Sequence, residues 1–324
     1  MTQPSLDSTF DTSLVDVSVS LHPNLFPQPT FTGSFSSTNT DPSDNGQPST
    51  LQPNPAASCN APSKPVRYTT TTAAYDEWAE SYDTDGNILQ GVDDLELETL
   101  LPGFLALIAT RPDAEAASRA AGQKLRVVDL GCGTGRNTLK LLSYSWPQAT
   151  TIVGLDASAA ILDVARRKFT SHAWGFNVVE VVLLEHDAML KPSPPPQALN
   201  ADAVISTLVL EHLPLSTFFA ALQLLIRPGG HVLLTNMHPN MGSSSQAGFV
   251  SKNGEKVRGV SWAHGIEETV EAAQAAGFEL VDKVREAKVS KEVAGLLGER
   301  ANKWVGTEVW YGMTMRRTQE KSEM

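Results

Sequence analysis

The chain has 324 residues, 41% of them hydrophobic and 19% charged, and a formal net charge of −11. That is apolar material for one large domain or two small ones. The acidic balance, with no block of clustered Lys and Arg, excludes a nucleic-acid partner, whose phosphates such clusters would have to meet; it also disfavours an anionic membrane surface, and no apolar run approaches the ~20 residues of a membrane helix.

Residues 1–66 are rich in Ser, Thr, Pro, Asn and Gln, with isolated apolar residues and no period. Such a segment cannot bury enough apolar surface to offset its ordering entropy, so a disordered tail is expected, serving at most for docking or regulation. The opening MTQPSLDSTFDTSLVD has neither the basic nor the apolar region of a signal peptide. The two cysteines, Cys59 and Cys132, have no disulfide or zinc spacing. Both points fit a reducing, cytoplasmic setting.

The folded part is expected over residues 67–317, with a short polar tail at 318–324. Residues 73–83 read as a helix with Tyr75, Trp78 and Tyr82 on one face. A second helix is expected from Asp94 to Thr110, broken or bent at Pro102, then an Ala-rich connection. From there strands and helices alternate: strand 124–130, helix 135–144, strand 151–156, helix 158–169, strand 178–186, strand 201–207, helix 214–227, strand 229–236. Near-continuous apolar strands separated by helices imply a parallel sheet covered on both faces. A polar loop is expected over 237–262, then a helix (265–275), a strand (278–286), a helical stretch (289–303) and a last strand (307–317). The fold class is α/β.

The chemistry is concentrated in Asp129-Leu130-Gly131-Cys132-Gly133-Thr134-Gly135-Arg136, where the first long strand ends. Glycines at alternate positions let the backbone turn sharply and approach a ligand with no Cβ in the way. A nicotinamide dinucleotide site would need Gly or Ala where Arg136 stands, because that contact holds helix and strand together. An acid two places before the first glycine is foreign to the dinucleotide fingerprint; it suits a cofactor with a cationic, amino-acid-bearing end.

The segment VVDLGCGTGRNT resembles the first motif of class I S-adenosylmethionine-dependent methyltransferases, and the resemblance extends over about residues 70–316. It implies a Rossmann-like, seven-stranded, mostly parallel sheet with one antiparallel strand and helices on both faces. It also implies S-adenosyl-L-methionine as cofactor, held around Asp129, Gly131, Cys132, Gly133 and Gly135. Asp156 is implied to accept the ribose hydroxyls, with Ala157 beside the adenine, although an acid there can also cap the next helix. Asp187 and Ala188 are implied at the adenine ring, and Thr207 and Leu208 at the methionine part. YDEWAESYD is similar to the element that closes as a lid over the cofactor in ubiquinone- and menaquinone-type relatives, with Tyr75 and Tyr82 facing it. A plain amphipathic helix with a core aromatic stripe is the other reading.

At the acceptor end, His212 of Glu211-His212 is the candidate general base, since imidazole titrates near neutrality; it can equally serve to orient its loop. His238 is a candidate for the substrate pocket or for a surface loop. No histidine or acid spacing supports a metal. Trp262, Trp304, Trp310 and Tyr311 can line a pocket or belong to the core. The entry region, NMHP and WVGTEVWYGM also resemble fungal secondary-metabolite enzymes of the gliotoxin thiol methyltransferase kind. S-methylation of a thiol natural product and O-methylation of a phenol or quinol therefore both stand as expectations for a small-molecule acceptor. A non-catalytic S-adenosylmethionine-binding protein is the alternative from another class, ahead of an NAD-dependent oxidoreductase. Asn-Pro-Pro-Tyr, the mark of amino-methylating relatives, is absent after the fourth core strand, where STLV stands.

Overall fold

The β-branched and leucine-rich runs form strands buried on both faces, and their period of two divides the core. Val128, Leu130, Val153, Leu155, Val204 and Leu234 pack into one cluster; Leu125, Val127, Ile152, Ala203, Ile205 and Leu233 pack into another on the opposite face. The computed structural model describes residues 66–109, 124–170 and 179–319. The expected tail up to residue 65 with Cys59, the Ala-rich connection at 110–123 and residues 320–324 lie outside the described residues.

In chain order the elements are β1 (Val66–Tyr68), α1 (Thr71–Trp78), α2 (Ile88–Ala109), β2 (Leu125–Leu130), α3 (Arg136–Leu142), β3 (Thr150–Asp156), α4 (Ala159–Thr170) and β4 (Val179–Glu185). There follow β5 (Ala201–Thr207), α5 (Leu215–Leu225), β6 (Ile226–Met237), α6 (Pro239–Gly242), β7 (Gly248–Val250), β8 (Lys256–Arg258), α7 (Ile266–Ala275), β9 (Phe278–Leu280), β10 (Arg285–Lys288), α8 (Lys291–Leu297) and β11 (Glu308–Arg317). Short 3-10 turns cover Leu210–His212 and Glu299–Trp304. Among the described residues no helix is long and apolar enough to cross a membrane.

The main sheet has the order β10-β11-β6-β5-β2-β3-β4, with β9 also paired to β11. β2 through β6 run parallel; β11 is antiparallel to β6, β9 and β10. β9 and β10 share the outer side of β11, so they are one interrupted edge strand. The sheet therefore has the seven positions and the single antiparallel strand expected. The chain leaves β2 toward β3 and β4 and returns on the other side to β5. That reversal opens a crevice at the carboxyl ends of β2 and β5, where open α/β sheets bind ligands.

Four local expectations are corrected. The first helix ends at Trp78 and continues as turns. α2 begins at Ile88 rather than Asp94, and it passes through Pro102 unbroken because Leu97, Leu101, Phe104, Leu105 and Ile108 anchor it on the sheet. The stretch 237–262 is not simply a loop: β7 and β8 form a hairpin, and β8 pairs in parallel with β1 to make a three-stranded sheet. The helical stretch 289–303 breaks at Gly298, whose φ is 89°.

Candidate active site

The loop from β2 to α3 carries three residues in the left-handed region: Gly131 (φ 72°), Gly133 (φ 56°) and Gly135 (φ 85°). A Cβ on Gly131 would lie 2.2 Å from Val209, and one on Gly135 would lie 2.6 Å from Phe169, so these two let elements pack closely. At Gly133 a Cβ would meet nothing within 4 Å. That glycine faces open space and keeps the backbone reachable by a ligand. Cys132 is buried against Gly154. Burial and the charges of Asp156 and Asp129 push its thiol well above the usual range, which leaves it inert.

Three acids stand around this loop. Asp156 accepts from the backbone N–H of Gly133 (2.8 Å) and of Ser158 (2.9 Å), which ties the glycine loop to the end of β3. It does not cap the following helix: Ser158 Oγ does, accepting from Ile161 N at 3.1 Å, and the Asp156 side chain remains partly exposed. Asp129 is buried; its Oδ2 accepts from Thr138 Oγ1 at 2.6 Å, and its Oδ1 has no partner. Burial pushes its carboxyl up to about 6. Asp187 accepts from Met189 N (2.8 Å) and from Thr72 Oγ1 (3.3 Å). Ala157 and Ala188 are half-buried beside Asp156 and Asp187. Thr207 accepts from Asn137 Nδ2 at 2.7 Å, and Leu208 holds a positive φ of 59°, a strained turn leaving β5.

α1 and the turn after it lie across these loops. Thr134 Oγ1 donates to Asp83 at 2.6 Å, Ser158 Oγ donates to Asp76 at 2.5 Å, and Lys168 pairs with Asp83 at 2.6 Å. The rings of Tyr75 and Tyr82 are 5.6 Å apart. Burial raises both phenols, Tyr82 to about 12, and the charges of Asp156 and Glu211 act on both. The two tyrosines therefore lie between the acid at the end of β3 and the acid after β5.

This site has relatives. Residues 127–230 match the methyltransferase domain family. An uncharacterized methyltransferase of Emericella nidulans is 46% identical over 265 residues, covering 77% of this chain and 91% of that protein. The chain belongs to the class I S-adenosylmethionine-dependent methyltransferases. This methyltransferase is also 42% identical over 100 residues to trans-aconitate 2-methyltransferase of Methylobacterium nodulans, a match covering 31% of this chain and 35% of that enzyme. To the ubiquinone biosynthesis O-methyltransferase of Cronobacter sakazakii it is 34% identical over 130 residues, covering 39% of this chain and 47% of that enzyme. A solved S-adenosylmethionine-dependent methyltransferase from Mesorhizobium loti superposes with a TM-score of 0.44 at 19% identity, covering 63% of this chain and 96% of that one.

The residues of the methyltransferase fit its cofactor. Asp129 Oδ1 and Asn137 Oδ1 are buried without partners, an acceptor pair suited to the ammonium of an amino acid. Gly133 leaves its backbone bare beside them. Arg136, which argues against a dinucleotide in the sequence, pairs with Asp93 (2.5 Å) and Asp94 (2.7 Å) of α2. Asp93 is fully buried and also accepts from Thr235 Oγ1 (2.6 Å) and Trp310 Nε1 (2.8 Å).

At the acceptor end, His212 Nε2 meets the Tyr75 hydroxyl at 2.8 Å and Glu211 Oε1 at 3.5 Å, while Nδ1 faces the Val260 carbonyl at 3.3 Å. Burial drives both members of this pair to their neutral forms: Glu211 is raised to about 8 and His212 is lowered to about 4. His238 sits elsewhere. Its Nδ1 accepts from Asn240 N (3.0 Å) to cap α6, and its Nε2 lies 2.9 Å from Glu286. Neither it nor the His212 ring is among the residues lining the cavity beside Glu211, which is walled by Trp78, Met237, Met241 and Trp304. Trp310 and Tyr311 are core, and the backbone N–H of Trp262 donates to the backbone carbonyl of Glu211 at 2.7 Å.

Residues that sequence reasoning missed are Thr72, Asp76, Asp83 and Asp93. The first three lie within or just after the lid-like element, whose alternation of acids with aromatics was the available signal. Asp93 carried none, because its partners Thr235 and Trp310 are distant in sequence.

Proposed function

We propose that this methyltransferase moves the methyl group of S-adenosylmethionine onto the hydroxyl of a small phenol- or quinol-type acceptor, with His212 taking the proton. The observation that carries this reading is the tautomer of His212. The Val260 carbonyl facing Nδ1 can only accept, so the ring proton sits on Nδ1 and the Nε2 lone pair accepts from the Tyr75 hydroxyl at 2.8 Å, a contact that the acceptor hydroxyl would replace. Burial keeps that nitrogen unprotonated throughout the neutral range. A thiol, with a pKa near ~8.5, ionises with little help; a hydroxyl needs a placed base. The aromatic and methionine walls beside Glu211 suit a flat ring. The O-methyltransferase among the relatives agrees with this chemistry.

In this reading Asp129 faces the amino-acid end of the cofactor, Asp156 the ribose and Asp187 the adenine, with Thr207 and Leu208 along the methionine chain and Tyr75 and Tyr82 above. S-adenosylmethionine supplies a sulfonium methyl whose leaving group is a neutral thioether. The acceptor oxygen bonds to that carbon as the carbon–sulfur bond breaks, the electron pair stays on sulfur, and the hydroxyl proton passes to His212 Nε2. One positive charge is present in the buried site before and after the step. The desolvation that makes His212 a weak base therefore does not oppose the transfer as it would in isolation. Tyr75 and the hairpin of β7 and β8 keep water out.

Turnover of catechol, hydroquinone and dithiothreitol by the full chain with S-adenosylmethionine tests this. The phenols are expected to be methylated, and His212→Asn to lower kcat by about 10²–10⁴-fold with S-adenosylhomocysteine affinity retained. Methylation of the thiol alone, or a His212→Asn enzyme at the wild-type rate, would overturn the proposal.

A further inference from the structure

The cavity beside Glu211 has a second chemical end. Arg300 and Lys303, both from the 3-10 turn Glu299–Trp304, line it beside Trp304. The Lys303 ammonium lies 5.2 Å from the centre of the Trp304 ring, and Arg300 donates to the backbone carbonyl of Asp85. Among the described residues neither cation forms a salt bridge. They also work against each other: burial and the charge of Arg300 hold Lys303 below the usual ammonium range. Two like charges on one cavity wall, Arg300 half-buried and Lys303 exposed, favour an anion between them.

The charge balance narrows that anion. Asp85 also lines the cavity, and burial raises its carboxyl to about 6, so near neutrality it supplies one negative charge against two positive ones. The remaining single positive charge matches a monoanion better than a phosphate dianion. Glu211 lines the cavity as well. It is buried, its Oε2 has no partner, and it is held neutral, so it has an O–H to donate. A bifunctional ligand is implied: an anionic group at Arg300 and Lys303, a flat apolar middle, and an oxygen at Glu211, whose carboxyl stands 3.5 Å from His212 Nε2.

Building on the hydroxyl reading above, we propose that the acceptor is a hydroxyaromatic carboxylic acid, its carboxylate held by Arg300 and Lys303 and its hydroxyl directed to Glu211, the carboxyl next to His212. The product is then an aryl methyl ether with the carboxylate left free. Arg300 and Lys303 select the acceptor and take no part in the bond changes.

The test compares 3,4-dihydroxybenzoate, its methyl ester and catechol as acceptors for the full chain with S-adenosylmethionine. The acid is expected to exceed the ester in kcat/KM by about tenfold or more, mainly through KM, as a lost charge-assisted contact implies. In a double Arg300→Gln, Lys303→Gln variant the acid-to-ester ratio is expected to fall toward one. If that variant does not fold, Lys303→Gln alone, at an exposed position, is expected to lower the ratio about threefold. Equal use of acid and ester, an unchanged ratio in either variant, or a methyl ester as product would overturn the proposal while leaving hydroxyl methylation standing if catechol is still turned over. Failure of all three phenols alongside methylation of dithiothreitol would overturn both readings.

Discussion

Replacing Asp93 by alanine strikes the contact that joins the glycine loop to the rest of the fold. Asp93 has no exposed surface, and its carboxylate accepts from Arg136, Thr235 and Trp310 at 2.5, 2.6 and 2.8 Å. Without it, Arg136 keeps only Asp94, whose side chain is 44% exposed, and two buried donors lose their acceptor. Removing one partner of a buried ion pair costs about 3–5 kcal/mol, because the other charge is left buried. At about 2–4 °C per kcal/mol for a domain of this size, the melting temperature is expected to fall by about 6–20 °C. Thermal melts followed by circular dichroism give the value. Arg136→Ala and the double variant complete a cycle in which the double loss is smaller than the sum of the single losses. An Asp93→Ala protein melting within about 2 °C of the wild type would refute the reasoning, since a buried, triply bonded carboxylate cannot be that cheap to lose.

Asp156→Ala is expected to weaken S-adenosylmethionine binding by about 10–100-fold in calorimetric titration; unchanged affinity rules out the ribose assignment. Gly133→Ala is expected to cost more than about tenfold in cofactor affinity but only the ~1–2 kcal/mol of a left-handed alanine in stability, since its Cβ enters open space. Gly131→Ala, which drives a Cβ to 2.2 Å from Val209, is expected to act mainly on stability, and the reverse ranking would contradict the geometry. Glu211 is raised from 4.5 to about 8, so the folded chain keeps a proton that the unfolded chain releases over that interval. Its contribution to stability is complete below pH 4.5 and is lost as pH climbs toward and through 8. Glu211→Gln removes that loss, so the melting temperature of the variant should decline less between pH 5 and 8.5 than that of the wild type; parallel declines would show that Glu211 is not held protonated.

The repeating part of the fold was legible because period-two burial and left-handed glycines are written locally. VVDLGCGTG fixes a strand end and a turn within a few residues, and Gly131, Gly133 and Gly135 all adopt the positive φ that their spacing suggested. The start of α2 was misread because Asp93 and Asp94 look like helix-start acids, whereas they lie inside the helix as partners of Arg136. The β7–β8 hairpin hid in a polar stretch with strands of three residues each. Its one local sign was Asn253-Gly254, and Gly254 does turn at φ 77°. The contacts that assemble the acceptor end could not be read at all. Tyr75 meets His212 across 137 residues, and Asp93 meets Trp310 across 217. Their pairing follows from the strand order, which periodicity does not specify.

Polar contacts of α1 and its following turn reach Asp187, Ser158, Thr134 and His212, which lie in the loops after β4, β3, β2 and β5. A movement of this segment would therefore carry those loops with it, and an apparent dissociation constant for S-adenosylmethionine would then equal the intrinsic constant divided by the fraction of molecules with the segment in place. A substitution at Asp76 or Asp83 is then expected to register as altered cofactor affinity, although Asp76 Oδ1 is taken by Ser158 and Ala160 and both oxygens of Asp83 by Thr134 and Lys168.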